Sequence, residues 1–127
     1  MTYVDGFVLP IPKRNTAKYK KMAQEAGRMW MQHGALQYVE AMGEDIKGMP
    51  GCGNFKRMAK PKAGETVWFS WIMYKNKAHR NKVNATVMKA FEKKYGKDIM
   101  KTMQMPFDMK RMASGGFVPK VSFKKGK

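Results

Sequence analysis

Polar residues set inside apolar strand patterns are the first places to look for chemistry, because a group there is held rigidly and partly out of water. Asp5 alternates with Tyr3 and Phe7, Glu40 alternates with Leu36 and Tyr38, and Ser70 sits within the run Trp68-Phe69-Ser70-Trp71. A buried carboxyl at Asp5 or Glu40 would hold its proton more tightly than a free one and could act as acid or base. Together with His33 and Trp71 these residues could line a cleft between a sheet and a helix. The plainer role for both carboxylates is an ion pair with Lys or Arg at a sheet end or a dimer seam, and structural pairs perturb pKa values in the same way. The sequence favours that plainer role.

The remaining reactive side chains form no recognisable centre. His33 stands before Gly34, where an imidazolium suits the negative end of a helix dipole, and His79 falls early in a basic helical stretch. Two isolated histidines and the lone Cys52 do not give zinc-ligand spacing, and nothing positions a histidine for haem or iron. Cys52 lies in a glycine-rich stretch with no histidine near it, which points to an unreactive thiol. Met100, Met103, Met105, Met109 and Met112 crowd together, and thioethers suit Cu(I). The chain has fourteen methionines in all, however, and adaptable core filling accounts for both sets. No Gly-x-Gly-x-x-Gly follows a strand and no P-loop is present. The segment Gly48-Met49-Pro50-Gly51-Cys52-Gly53 reads as a flexible loop. No metal and no cofactor are expected.

Several elements must position these residues. Tyr3 to Leu9 reads as a strand ended by Pro10 and Pro12. Asn15 or Thr16 can cap a helix whose apolar positions run Tyr19, Met22, Ala23, Ala26, Met29, Trp30 and His33, with Gly34 as its stop. Ala35 to Met42 reads as a second strand. Residues 43–64 form a long loop with an irregular strand near Phe55 to Ala59, and loops of this length are functional or mobile. Thr66 to Tyr74 is the strongest strand signal, continuous and aromatic, as in a central strand covered on both faces. Asn76 caps a second helix with the stripe Val83, Val87, Phe91 and Tyr95, stopped at Gly96, and a further helical turn falls at Asp98 to Met103. Arg111 to Pro119 reads as a last strand, where Gly115-Gly116 signals a bulge or a close backbone approach. Residues 1–119 make one domain, and 120–127 a basic, frayed tail.

The order β-α-β-β-α-β is that of a ferredoxin-like α+β domain with an antiparallel sheet. Such a sheet has helices on one face only. In Thr66–Tyr74 both alternating sets are apolar: Val67, Phe69, Trp71 and Met73 on one side, Trp68, Ile72 and Tyr74 on the other. The chain has no third layer to cover the second side, so the pattern predicts a two-fold homodimer in which two sheets meet as a dimeric α+β barrel.

Composition bounds the rest. A chain of 127 residues with fifteen aromatics buries its own core. The single cysteine excludes an internal disulfide and suits a reducing compartment. No apolar run approaches the roughly 18 residues that span a bilayer, and the N-terminus lacks a signal-peptide pattern, so no membrane association is expected and the cytoplasm is the default location. Twenty-six Lys and Arg against nine Asp and Glu leave a net charge of +17. That field attracts polyanions and makes a nucleic-acid-binding module an alternative to a small-molecule site; a structural dimer with no ligand and no turnover is the other alternative. The basic residues interleave with apolar ones along both helices, as in a solvated coat, which is weaker support for a nucleic-acid site than a clustered stripe.

Several sequence blocks resemble the YbaA-like bacterial family. They are Tyr3-Val4-Asp5-Gly6-Phe7-Val8, His33-Gly34-Ala35-Leu36 with Tyr38-Val39-Glu40, Gly64-Glu65-Thr66-Val67 with Phe69-Ser70-Trp71-Ile72, Met105-Pro106-Phe107-Asp108 with Lys110-Arg111-Met112, and Gly115-Gly116-Phe117. The resemblance runs from Tyr3 to Phe117. It implies a dimeric α+β-barrel fold and no established activity; related barrels often hold a ligand between sheet and helices. The chain departs from the family pattern at Asn81, where an acidic residue is expected, and at Met109, where glycine is expected. The candidate pocket residues are Asp5, His33, Glu40, Ser70, Trp71, Asp108 and Arg111.

Overall fold

The computed structural model describes residues 2–99 and 103–126. Four strands, β1 (Tyr3–Pro12), β2 (Gln37–Met42), β3 (Glu65–Tyr74) and β4 (Ala113–Phe117), pair antiparallel throughout in the spatial order β2-β3-β1-β4. Helices α1 (Thr16–Gln32) and α3 (Lys77–Tyr95) make the two long connections, and a short helix, α2 (Phe55–Ala59), lies in the β2–β3 loop. This is an α+β ferredoxin-like fold, as the element order predicts.

The register explains why one face is a core. Cross-strand partners point the same way, so Tyr3 with Tyr74, Asp5 with Ile72, Phe7 with Ser70, Leu9 with Trp68 and Ile11 with Thr66 share a face, joined from β2 by Tyr38 and Glu40. The helices lie on this side, where α1 buries Tyr19, Ala23 and Gly27, and α3 buries Val83 and Val87. Two apolar clusters result, one around Tyr74, Val83 and Val87 and one around Leu9, Tyr19 and Trp68. The opposite face carries Val4, Gly6, Val8 and Pro10 of β1, Gln37, Val39 and Ala41 of β2, Val67, Phe69, Trp71 and Met73 of β3, and Ala113, Gly115 and Phe117 of β4. None of these residues is charged, and among the described residues no helix longer than α2 covers them. The same parity reaches a carboxylate at Glu65, the first residue of β3, where Arg111 neutralises it.

Several boundaries differ from the sequence reading. β1 does not stop at Leu9: Pro10 pairs opposite Val67 and Ile11 opposite Thr66. The pairing with β4 reaches only to Val8, opposite Ala113, so beyond that point β1 is an edge strand, where prolines are tolerated. β2 starts at Gln37 because residues 33–36 complete the turn out of α1. There Gly34 (φ +115°) leaves the helix, and the Ala35 amide returns to the Trp30 carbonyl at 3.0 Å. The irregular strand expected at Phe55–Ala59 is instead α2, started by the Asn54 side chain, which accepts from the Arg57 amide at 2.8 Å. Asn15 occupies the N-cap position of α1 but does not cap it; its Nδ2 donates to the Pro106 carbonyl at 2.9 Å. Asn76 does cap α3, accepting from the His79 amide at 2.8 Å. The last strand starts only at Ala113, because residues 109–111 form a 3-10 turn. Of the turn expected at 98–103, Met100, Lys101 and Thr102 lie outside the described residues, as does Met100 of the methionine cluster.

Candidate functional site

Between the sheet and the two long helices lies a cavity of about 560 Å³. Its floor is the helix-side face of the sheet, and its walls include Met22, Met88, Phe91, Phe107 and Met112. Three polar clusters project into this apolar space.

Glu40 forms the first. Tyr19, from α1, donates to one carboxylate oxygen at 2.7 Å, and Tyr38 donates to the other at 2.9 Å. Tyr38 reaches it because residues two apart on a strand share a face. Tyr19 comes from the buried stripe of α1, with its ring edge-on to Trp68 and to Phe107. Burial pushes both phenols well above the ordinary tyrosine range, and the adjacent Glu40 charge pushes them further. They are therefore locked as donors. A carboxylate has about four acceptor positions, so two remain for another partner.

Asp5 forms the second. Its Oδ1 lies 3.4 Å from Nε of Arg80. Arg80 also donates from Nη2 to the Tyr3 hydroxyl at 3.0 Å and lies over that ring at 5.0 Å. The Tyr3 hydrogen bond, then the Asp5 charge, hold the guanidinium ionised. The third is Asn84, whose Oδ1 accepts from both Trp30 Nε1 and Tyr74 hydroxyl at 3.0 Å. Burial, with Asp5 nearby, raises the Tyr74 phenol. Two buried donors, Arg80 Nε and Trp68 Nε1, meet no acceptor at hydrogen-bonding geometry among the described residues.

Two glycines make this packing fit. A Cβ on Gly27, in the middle of α1, would stand 2.9 Å from the Tyr38 ring. A Cβ on Gly116 would collide with the Tyr3 hydroxyl, which is the close approach signalled by Gly115-Gly116.

Of the seven candidates from sequence, Asp5, Glu40 and Ser70 line the cavity. The other four do not. Trp71 is odd-numbered on β3 and so faces the open side, where its Nε1 donates to Gln37 Oε1 at 3.0 Å. His33 ends α1. Asp108 accepts from the Lys110 amide at 3.0 Å and so secures the 3-10 turn, which starts at Met109, where glycine is expected. Arg111 clamps both oxygens of Glu65 at 2.8 Å and the Lys60 carbonyl at 3.0 Å, and this pair holds the Glu65 carboxyl below its usual range. Sequence reasoning missed Tyr19, Tyr38, Tyr74, Arg80 and Asn84. Tyr38 was within reach, since its two-residue spacing from Glu40 puts both on one face. Asn84 carried no signal at all.

The lysines and arginines of α1 and α3, apart from Arg80, are exposed on their outer surfaces. Among the described residues, no helix is long and apolar enough to cross a membrane.

Comparison with known proteins gives three findings. Residues 2–109 match the family described as a protein of unknown function, DUF1428. The chain is 36% identical over 118 residues to the uncharacterized protein YbaA of Escherichia coli K12, covering 92% of this chain and 95% of that one, and equally similar to YbaA of Shigella flexneri. A crystal structure of a dimeric ferredoxin-like protein from an uncultured marine organism superposes with a TM-score of 0.53 at 7% identity, covering 97% of this chain and all of the other.

Proposed function

We propose, for a chain that belongs to the DUF1428 family of proteins of unknown function, that the cavity between sheet and helices binds a small, mainly apolar molecule with one polar end. The observation that carries this reading is an apolar cavity of about 560 Å³ into which Glu40, Asp5, Arg80 and Asn84 converge. Ligand sites of roughly 300–1,000 Å³ have this composition: apolar walls and a few fixed polar groups. Methionine walls adapt to ligand shape. Arg80 supplies a donor for a carbonyl or acid group, and the free acceptor positions of Glu40 suit a hydroxyl or amine.

Native mass spectrometry of the purified protein, followed by Trp fluorescence titration with apolar acids, phenols and amines, tests the proposal. Saturable binding is expected, lost in Met88→Trp, which fills the cavity. Identical responses from the filled and unfilled proteins would refute it.

The same reading includes a homodimer through the uncharged sheet face. In a chain where 28% of residues are charged, a face of fourteen uncharged strand residues, bounded by the paired Glu65, supports burial against a second copy. Phe69 and Phe117, both on that face, remain 45% and 62% exposed. The single, exposed Cys52 thiol fits a reducing location such as the cytoplasm.

A further inference from the structure

The internal cavity and the protein around it differ in the sign of their charge. The chain carries 26 Lys and Arg against nine Asp and Glu. Among the described residues, however, the cavity is lined by three of those nine acids, Asp5, Glu25 and Glu40, and by a single base, Arg80, with no lysine and no histidine. Two of the three acids are already provided for. Asp5 lies 3.4 Å from Arg80 Nε and balances it, and Glu25 is exposed to water on α1. Glu40 is different. It makes no ion pair among the described residues, and its two hydrogen bonds come from the neutral hydroxyls of Tyr19 and Tyr38. Phenols solvate a carboxylate without cancelling its charge, and a charge held away from water is normally matched by one of opposite sign. Beside it, directly opposite Glu40 on β3, stands Ser70. This serine lines the cavity and is only 4% exposed, yet its hydroxyl makes no hydrogen bond among the described residues.

We propose that the polar end of the ligand is an ammonium group seated between Glu40 and Ser70, so that the cavity takes a primary amine with an apolar body. This rests on the cavity reading given above and names the chemical class that the cavity takes. The hydrogen bonds match in number. An ammonium has three donors; Glu40 has two acceptor positions left, and the Ser70 oxygen offers another. A neutral hydroxyl would fill one of these places and leave the Glu40 charge uncancelled, while an ionised acid would be repelled by it. Aromatic faces also attract cations, and Tyr38, Trp30 and Phe91 form a row of rings in the cavity wall, 6.1 Å and 6.2 Å between successive centres. The outer lysines do not forbid a cationic ligand. They face solvent, where salt screens their field over about 10 Å at 0.1 M, whereas an acidic cleft with low-dielectric walls concentrates cations locally.

Three probes with one apolar body and different polar ends test the amine: phenylpropylamine, phenylpropanol and phenylpropanoate, each titrated calorimetrically into the full chain at neutral pH. The amine is expected to bind about tenfold more tightly than the alcohol or the acid, the ratio that one charge-assisted hydrogen bond supplies. Glu40→Gln keeps the shape and removes the charge, and should bring the amine to within about twofold of the alcohol, about the loss of that same bond. Circular dichroism checks that this variant folds. Independently of any variant, nuclear Overhauser contacts in the unsubstituted protein should join the methylene beside the probe's nitrogen to the Tyr19 and Tyr38 rings. An acid that binds more tightly than the amine, a preference for the amine that persists in Glu40→Gln, or a nitrogen end placed away from both rings overturns the amine while leaving the cavity as a ligand site. Failure of all three probes to bind at millimolar concentration, or equal binding to Met88→Trp, overturns the cavity reading and the amine together.

Discussion

At the scale of single residues, the most telling arrangement is one carboxylate gripped by two phenols. Glu40 with Tyr19 and Tyr38 is a set of charge-assisted hydrogen bonds, each of a kind that contributes about 1.5–3 kcal/mol. Tyr19→Phe removes one donor without changing the ring contacts to Trp68 and Phe107. It should destabilise the fold by about 2 kcal/mol in urea denaturation, within that same range. The raised phenols add a pH signature. In the unfolded chain these tyrosines lose their protons near the ordinary value of 10.0, and in the folded protein they keep them. The stabilisation is therefore complete below pH 10 and drains away as pH climbs above it, because the unfolded state then binds fewer protons than the folded one. Absorbance titration should show Tyr19, Tyr38 and Tyr74 silent until the protein unfolds, and Tyr19→Phe should flatten the alkaline loss of stability. Asp5, Glu40 and Ser70 were legible in the sequence, since a polar residue inside an apolar alternation is carried by the strand onto a covered face, where something must satisfy it. Their partners were not legible. Arg80 is one of 26 basic residues and Asn84 one ordinary helix asparagine, and only the packing of α3 over the sheet selects them.

At the scale of elements, strand and helix patterns were read well where burial is one-sided and poorly where a local side chain decided the matter. β3 and the stripes of α1 and α3 follow period two and period 3.6. The β2–β3 loop did not, because α2 exists through the Asn54 cap and the seating of Phe55 on Phe69, neither of which has a repeat. Asn54→Ala should cost about 1 kcal/mol of local helix stability, seen as faster hydrogen exchange in residues 55–59 with little change elsewhere. Gly27 argues the opposite way to helix propensity. Alanine in a helix interior is favoured over glycine by roughly 0.5–1 kcal/mol, so on propensity alone Gly27→Ala should stabilise α1. The Tyr38 ring at 2.9 Å from that Cβ would have to move, and overpacking of this kind costs roughly 1–3 kcal/mol. A net destabilisation is expected, with loss of the Tyr38–Glu40 hydrogen bond; chemical denaturation giving a more stable variant would show that Tyr38 can shift freely.

At the scale of the whole molecule, the net charge of +17 and the uncharged sheet face make opposite demands on solvent. Two copies that meet through an apolar face bring two such charges together, and the repulsion between them is screened over a Debye length of about 10 Å at 0.1 M salt and about 3 Å at 1 M. The proposed dimer should therefore tighten as sodium chloride rises, whereas a dimer held by ion pairs would loosen. Binding to nucleic acid through the lysine coat should behave in reverse, since release of counterions from the polyanion makes such binding fall steeply with salt. A dispersed coat also reads no sequence, so DNA, RNA and heparin should be bound alike. One salt series run on dimerisation and on polyanion binding separates the two uses of the surface. A dimer that dissociates with increasing salt would mean that charged residues, and not the Phe69–Trp71 face, form the interface. A polyanion complex that survives at high salt with a sequence preference would mean that the lysines of α1 and α3 form a built nucleic-acid site, with the internal cavity secondary to it.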